Sequence, residues 1–262
     1  MRATSFYVIL HGIFTSLNAS AQIADQFNSW WYYSGDYQVS EKISVTPLYS
    51  WSRHDFVKNW QQSKLRVGAE YKYLKDLTFG GGYEWVILFP YGEYPIPGKR
   101  TEHRIYEQVT LKNKTGKVRV STNILLEQRF LSTETRHRVR MKWGVKLPLI
   151  NTNDDKPKLA LSLYDQVLLN VGKTAKYQYF AQNRFYAGFD WSVHKSLTLS
   201  LGYMDQYIVI KDNKIENNHT LMVGFFHTID LRNRKTSDQE SNKPLPNLTS
   251  QNTLQILRNS SH

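Results

Sequence analysis

From residue 43 to residue 231, apolar and polar positions alternate with period two in one segment after another, the repeat that puts one residue set on each face of a β-strand. Val139, Met141, Trp143, Val145 and Leu147 interleave with Arg138, Arg140, Lys142, Gly144 and Lys146, so one face is apolar and the other mostly cationic. Val118, Val120, Thr122, Ile124 and Leu126 oppose Arg119, Ser121, Asn123, Leu125 and Glu127 in the same way. Phe185, Ala187, Phe189, Trp191 and Val193 oppose Arg184, Tyr186, Gly188, Asp190 and Ser192. Later, Leu221, Val223, Phe225, Ile229 and Leu231 share a face that His227 interrupts. The pattern predicts eleven strands, at 27–37, 42–53, 63–73, 77–88, 102–112, 117–130, 136–148, 158–170, 180–193, 197–210 and 218–231. Most exceed the strand length usual in soluble proteins and match the ~9–11 tilted residues that cross a bilayer.

The connections sort into two kinds. Short turns at Lys75-Asp76, Thr115-Gly116 and His194-Lys195-Ser196 alternate with longer loops at 54–61, 89–101, 172–179 and 212–217. Short turns on one rim and longer loops on the other mark outer-membrane barrels. The segment 151–157 is long for its place on the short-turn rim. Eleven is also an odd number where a bacterial barrel is expected to be even, and with both ends of the barrel on one rim the turn at Ser40-Glu41 falls on the wrong side. The reading is therefore an all-β, antiparallel up-and-down transmembrane barrel of about 12 strands, or 10: either a strand is merged or missed near the N-terminal end, or the segment before Tyr37 is not part of the wall.

Soluble and membrane barrels share the repeat and differ in which face points inward. Seven Trp, seventeen Tyr and twelve Phe stand in a chain of 262 residues whose mean hydropathy is −0.53. Outward rings and aliphatics balanced by inward charges reconcile those two facts. Aromatics at strand ends (Trp30, Trp31, Tyr32 and Tyr33; Tyr49 and Trp51; Tyr83 and Trp85; Trp191) suit girdles at the two interfaces. Opposite charges on one face of one strand, Arg66 with Glu70 and Glu127 with Arg129, suit a narrow lumen of paired charges. The rival arrangement is a soluble envelope barrel holding an apolar ligand.

Residues 1–21 have the make-up of a cleaved export signal: Arg2, a mostly apolar stretch from Ala3 to Leu17, and Ala19-Ser20-Ala21. The expected organisation is a signal at 1–21, a barrel at 22–231 and a basic, disordered tail at 232–262. No cysteine occurs, which removes disulfide scaffolds and thiolate metal sites and fits a bacterial envelope. No apolar run is long enough for a spanning helix.

Several charged motifs recur in a fixed order: Glu102-His103-Arg104-Ile105-Tyr106-Glu107-Gln108, Leu126-Glu127-Gln128-Arg129-Phe130, Arg138-x-Arg140, and Gln182-Asn183-Arg184-Phe185-Tyr186-x-Gly188. Gly82-Tyr83 and Gly202-Tyr203 lie in neighbouring strands. In this order and spacing, from about Phe27 to Leu231, the chain resembles the bacterial envelope family known as domain of unknown function 2490. The resemblance implies a β-barrel in the outer membrane of a Gram-negative bacterium and supplies no activity. The extension after Leu231 departs from it, since such barrels typically end at the last strand.

Glu102, Arg104, Gln108, Glu127, Arg129, Arg138, Arg140 and Arg184 form the candidate site, a lumen charge network. Arginine–carboxylate pairs there would hold strands in register and plug the barrel. The alternative uses are binding of an anionic ligand or a constriction that selects small anions. Glu107 falls on the face opposite Glu102 under strict alternation, which calls for a bulge or another register.

Metal spacing is missing among the scattered histidines, and there is no nucleophile elbow or phosphate loop, so no cofactor, metal or catalysis is expected. The sharpest catalytic candidate is His103, which Glu102 could orient. A formal charge of +12 raises nucleic-acid binding, but cations spread over every strand of an exported chain suit anionic lipopolysaccharide instead. The expected partners are outer-membrane lipids, lipopolysaccharide and the barrel-assembly machinery, with the barrel a monomer.

Overall fold

Every predicted strand is present in the computed structural model, which describes residues 22–151, 157–175, 178–210 and 214–232. The export signal at 1–21 and nearly all of the tail at 232–262 lie outside the described residues. The strands are β1 (Gln22–Gln38), β2 (Ile43–Val45), β3 (Leu48–His54), β4 (Asn59–Lys72), β5 (Leu77–Leu88), β6 (Arg100–Thr115), β7 (Val118–Phe130), β8 (Thr135–Ile150), β9 (Leu159–Val171), β10 (Phe180–Ser192), β11 (Leu197–Val209) and β12 (Lys214–Asp230).

These twelve strands fill eleven positions in a closed wall, because β2 and β3 follow one another between β1 and β4. The single predicted segment 42–53 merges the two. Pro47 separates them: it has no N–H for the ladder, yet its carbonyl accepts from Gly35 N (2.8 Å), while Thr46 N donates to Gly68 O (2.8 Å). The wall therefore stays hydrogen-bonded across the break.

An odd number of wall positions closes because β1 lies parallel to β12, in register from Gln22 opposite Lys214 to Gln38 opposite Asp230. All other pairings are antiparallel. This corrects the expectation that both ends of the barrel share a rim. The turn after β1 now sits with the other short turns, beside the end of β12, and the start of β1 sits on the opposite rim. The rim asymmetry is weaker than the sequence implies. Residues 89–99 and 172–179 are long connections, whereas 55–58 spans four residues because β4 starts at Asn59.

The apolar set faces outward. Leu201, Phe189 and Ile124 are at least half exposed, while Glu84, Glu102 and Glu127 are fully buried inside the wall. On β8 the outward apolar run from Val139 to Leu149 covers about 33 Å of strand, or about 24 Å of height at the ~45° tilt of membrane strands. That matches the apolar band of a membrane barrel. Toward the longer-loop rim the outer face turns polar, with Asn183 donating to Asp165 (2.8 Å) and Asn217 to Asp25 (3.1 Å). A soluble barrel would carry the reverse arrangement, so the fold is a transmembrane β-barrel.

Glu107 lies on the outer face between Ile105 and Val109, and β6 is free of register shifts against β5 and β7, so the expected bulge does not occur. A carboxylate within the apolar band costs stability. Glu107→Leu is therefore expected to raise stability in lipid vesicles by about 1–2 kcal/mol, read from urea unfolding midpoints. A lowered midpoint would mean that this part of β6 does not face lipid.

Candidate functional site

The inward residues of β4 to β8 meet in a layer of buried ion pairs. Glu84 on β5 accepts from Arg66 Nε on β4 (2.5 Å) and lies 3.6 Å from Arg104 Nη1 on β6. Glu102 on β6 accepts from Arg104 Nη2 (2.7 Å) and from Arg129 Nε and Nη2 on β7 (3.0 and 2.9 Å), and it forms an ion pair with Arg100 Nη2 (2.9 Å). Glu127 on β7 accepts from Arg104 Nη1 (2.9 Å) and from Arg140 Nη2 on β8 (2.5 Å). Arg104 thus touches all three carboxylates and ties β5, β6 and β7 together. Charge-assisted bonds of this kind are strong, and they stitch neighbouring strands through side chains as well as backbone.

Closer to the short turns the lumen fills with hydrogen-bonded polar groups, rings and one further ion pair, Lys146 with Asp190 (2.5 Å). Gln108 Nε2 donates to Glu70 (2.9 Å), and Asn123 donates to Thr110 Oγ1 (2.8 Å). Arg66 lies over the Tyr106 ring at 4.4 Å. On the other side Tyr164 stacks on Tyr186 at 4.8 Å, and Tyr186, Met204 and Met222 form a buried cluster against Trp30, Tyr32 and Tyr164. Trp30 and Tyr32 therefore belong to the lumen. Only part of the aromatic signal read as girdles, including Trp31, Tyr33, Tyr83, Trp85 and Trp191, lies on the outer face.

Above the ion pairs a cavity of about 1070 Å³ reaches the longer-loop rim. Residues 89–99 fold across its mouth. The Tyr91 ring lies tilted against His54 (5.5 Å) and its hydroxyl donates to Glu216 (3.2 Å), and Lys214 lies over the Tyr94 ring. Burial, reinforced by Glu216, pushes the Tyr91 hydroxyl far above its ordinary pKa and keeps it a donor. At the neighbouring loop Lys58 holds the exposed Asp55 carboxyl below its usual range through a 2.8 Å contact.

Of the eight sequence candidates, Glu102, Arg104, Glu127, Arg129 and Arg140 come together in the ion-pair layer. Gln108 sits below it with Glu70. Arg138 and Arg184 line the cavity without an ion pair among the described residues. The expected same-strand partners differ: Arg66 reaches Glu84 and Arg129 reaches Glu102, each on the neighbouring strand. Glu84 and Arg66 were not among the candidates. His103 points outward, away from Glu102, and its Nδ1 meets the Tyr83 hydroxyl at 2.5 Å. Glu102 cannot orient it, which removes the geometry proposed for a general base. His227 is also outward, between Tyr33 and Tyr37.

A family model described as a protein of unknown function (DUF2490) matches residues 27–218. Among solved structures, the chain is similar to OmpT, an in-vitro folded outer membrane protein of Vibrio cholerae, in its trimer form. The match has 10% identity and a TM-score of 0.37, over 68% of this chain and 56% of that one. A second OmpT structure from the same organism matches at 12% identity and a TM-score of 0.36, over 64% and 52% of the two chains. The siderophore receptor PirA from Pseudomonas aeruginosa matches at 11% identity and a TM-score of 0.27, over 65% and 32%. The chain spans about half the length of the OmpT chains and about a third of PirA. No curated protein matches it.

Proposed function

The chain belongs to the family of proteins of unknown function DUF2490, and within it we propose an outer-membrane barrel whose lumen is closed to free flow by a layer of buried charges. The single observation that carries this reading is the sharing of three fully buried glutamates by arginines from β4, β6, β7 and β8. Removing carboxylates from water is costly unless each is paired and hydrogen-bonded, and each of these accepts from at least one arginine. A barrel of eleven wall positions is wider than the eight-stranded barrels that side chains fill on their own, so long charged groups must bridge the remaining space. The tyrosine and methionine cluster supports the same closure nearer the short turns.

The outward apolar band, the export-like first segment and the absence of cysteine support an outer-membrane location. Fractionation tests it: the protein is expected in the membrane fraction, released by detergent and running as a heat-modifiable band on gels. Release by salt alone would overturn the location. Conductance in planar bilayers tests the closure. Incorporated barrels are expected to be electrically silent, and steady open steps with anion preference would replace this reading by that of a small anion pore.

A further inference from the structure

Charge in the lumen does not balance. Five arginines (Arg66, Arg100, Arg104, Arg129 and Arg140) share three glutamates, and four more cations (Lys64, Arg138, Lys142 and Arg184) make no ion pair among the described residues, while further inward carboxylates are held elsewhere: Asp190 by Lys146, Glu70 by Gln108 and Glu216 by Tyr91. Lys142 rests on the Tyr164 ring at 3.9 Å, close to the apolar cluster. The other three line the 1070 Å³ cavity. Arg138 is within electrostatic reach of Arg129, Arg140 and Arg104, with Glu127 the opposing carboxylate. Arg184 has the same opposition, Arg140 and Arg104 against Glu127. Glu127 already accepts from Arg104 and Arg140, so one carboxylate serves four guanidiniums.

The side-chain bonds point the same way. Arg184 is met by neutral amides alone, donating to Gln182 (2.8 Å) and, from Nε and Nη2, to the Gln206 amide oxygen (3.1 Å each), and it lies 5.1 Å from the Trp30 ring. Among the described residues Arg138 Nε and Arg140 Nε are buried with no hydrogen-bond partner, as are Glu84 Oε2 and Glu127 Oε2, so neither carboxylate reaches these two donors. Enclosed guanidiniums pressed against one another, with donors unused, are unfavourable unless an anion joins them. Their planar forks match phosphate oxygens in pairs, and a group bearing several charges compensates several guanidiniums at once. The cavity volume lies just above the usual range for small-molecule sites, room enough for a ligand and the waters around it. Tyr94, Tyr207 and Ile208 line its upper part and would face the body of a ligand whose charged end sits below.

We propose that this cavity binds a phosphate-bearing polyanion, held by Arg138, Arg140, Arg184 and Lys64 above the ion-pair layer. The inference rests on the closed-lumen reading only in taking that layer as the cavity floor. Either a free phosphorylated solute or a phosphorylated lipid headgroup supplies this chemistry.

The test is calorimetric titration of the full folded chain in detergent with pyrophosphate and, separately, with detergent-dispersed diphosphoryl lipid A. Binding of pyrophosphate is expected, and it should weaken roughly tenfold when salt is raised to about 0.5 M. Arg138→Gln with Arg184→Gln should cost about tenfold or more, and Lys58→Gln in the exposed loop less than about twofold. Binding of lipid A alone supports the headgroup as the source. No binding of either probe up to about 10 mM overturns the inference, as does a folded double variant that binds within about twofold of the parent. Heat-modifiable migration reports folding, and if the double variant does not fold, each single variant should lose about threefold, with no loss in either overturning the assignment. An electrically silent barrel that binds no probe refutes this inference and leaves the closed lumen standing, whereas a conducting barrel that binds does the reverse.

Discussion

Replacing Glu102 by alanine lowers the unfolding free energy of the barrel by roughly 3–5 kcal/mol, the loss typical when one member of a buried ion pair is removed and its partners stay charged. Glu102 is fully buried and pairs with Arg100, Arg104 and Arg129. Alanine leaves Arg129, which is buried, and Arg100 without a carboxylate, and Arg104 with Glu84 and Glu127 alone. Glu102→Gln keeps the volume and one acceptor oxygen, so it should cost less, about half as much. Adding Arg129→Met to Glu102→Met should recover part of the loss, because removing both members of a buried pair is much milder than removing one. Urea titrations in lipid vesicles, followed by tryptophan fluorescence, give the values. A change below about 1 kcal/mol for Glu102→Ala would place the pair in the class of solvated surface bridges and end its role as a structural layer.

The identity of that layer was half legible in the sequence. Alternation alone put Glu102, Arg104, Glu127, Arg129 and Arg140 on the inward face, and the structure agrees. Partner choice was harder, because a same-face pair on one strand looks as plausible as a cross-strand pair until the register is known. Counting back equally from Lys75 brings Arg66 opposite Glu84 and Glu70 opposite Gly80, as observed, whereas a two-residue turn at Lys75-Asp76 moves Arg66 onto Trp85. Hairpin arithmetic reaches Glu84 only once the turn is centred to the residue, and the sequence does not supply that. His103 misled for the converse reason: adjacency in sequence suggested a carboxylate–imidazole pair, while the period-two rule already put the two side chains on opposite faces.

The wall itself was largely written in the period. Strand β5 has the predicted limits, and β7, β9, β10 and β11 fall within one residue of theirs. What the pattern could not supply was the closure. Period two says which face a residue occupies but not the direction of the partner strand, so the parallel pairing of β1 with β12 was invisible and an even strand count was assumed. The break at Pro47 was visible as a residue, but its consequence depends on Gly35 and Gly68 in the two neighbouring strands. Aromatics posed a similar limit. Trp30 and Trp31 are adjacent and chemically alike, yet one meets Arg184 in the lumen and the other stacks on Trp51 outside.

Replacing Gly82 by valine prevents the barrel from reaching its heat-modifiable form. Gly82 on β5 pairs directly with Gly68 on β4, and Tyr106 from β6 lies across both. A Cβ on Gly82 would come 2.5 Å from Gly68 Cα and 2.9 Å from the Tyr106 hydroxyl, and closer still to the Val67 carbonyl. Two of those three atoms are backbone of a paired strand, so relief requires separating β4 from β5 rather than turning a side chain. Arg66, which lies over Tyr106 and pairs with Glu84, would lose its position with the ring. The expected cost exceeds about 4 kcal/mol, enough to abolish assembly in a marginally stable wall. Tyr106→Ala in the same chain should not rescue it, because the backbone contacts remain. Gly98→Val, at a loop position with nothing within 4 Å of the added Cβ, should assemble normally. A related arrangement recurs on the far side, where Tyr186 lies across the paired Gly188 and Gly202 and a Cβ on Gly188 would come 2.7 Å from Gly202 Cα, so Gly188→Val should also fail. Normal assembly of either variant, read as heat-modifiable migration after refolding into vesicles, would show that the tyrosine–glycine nests do not set the spacing of these strands.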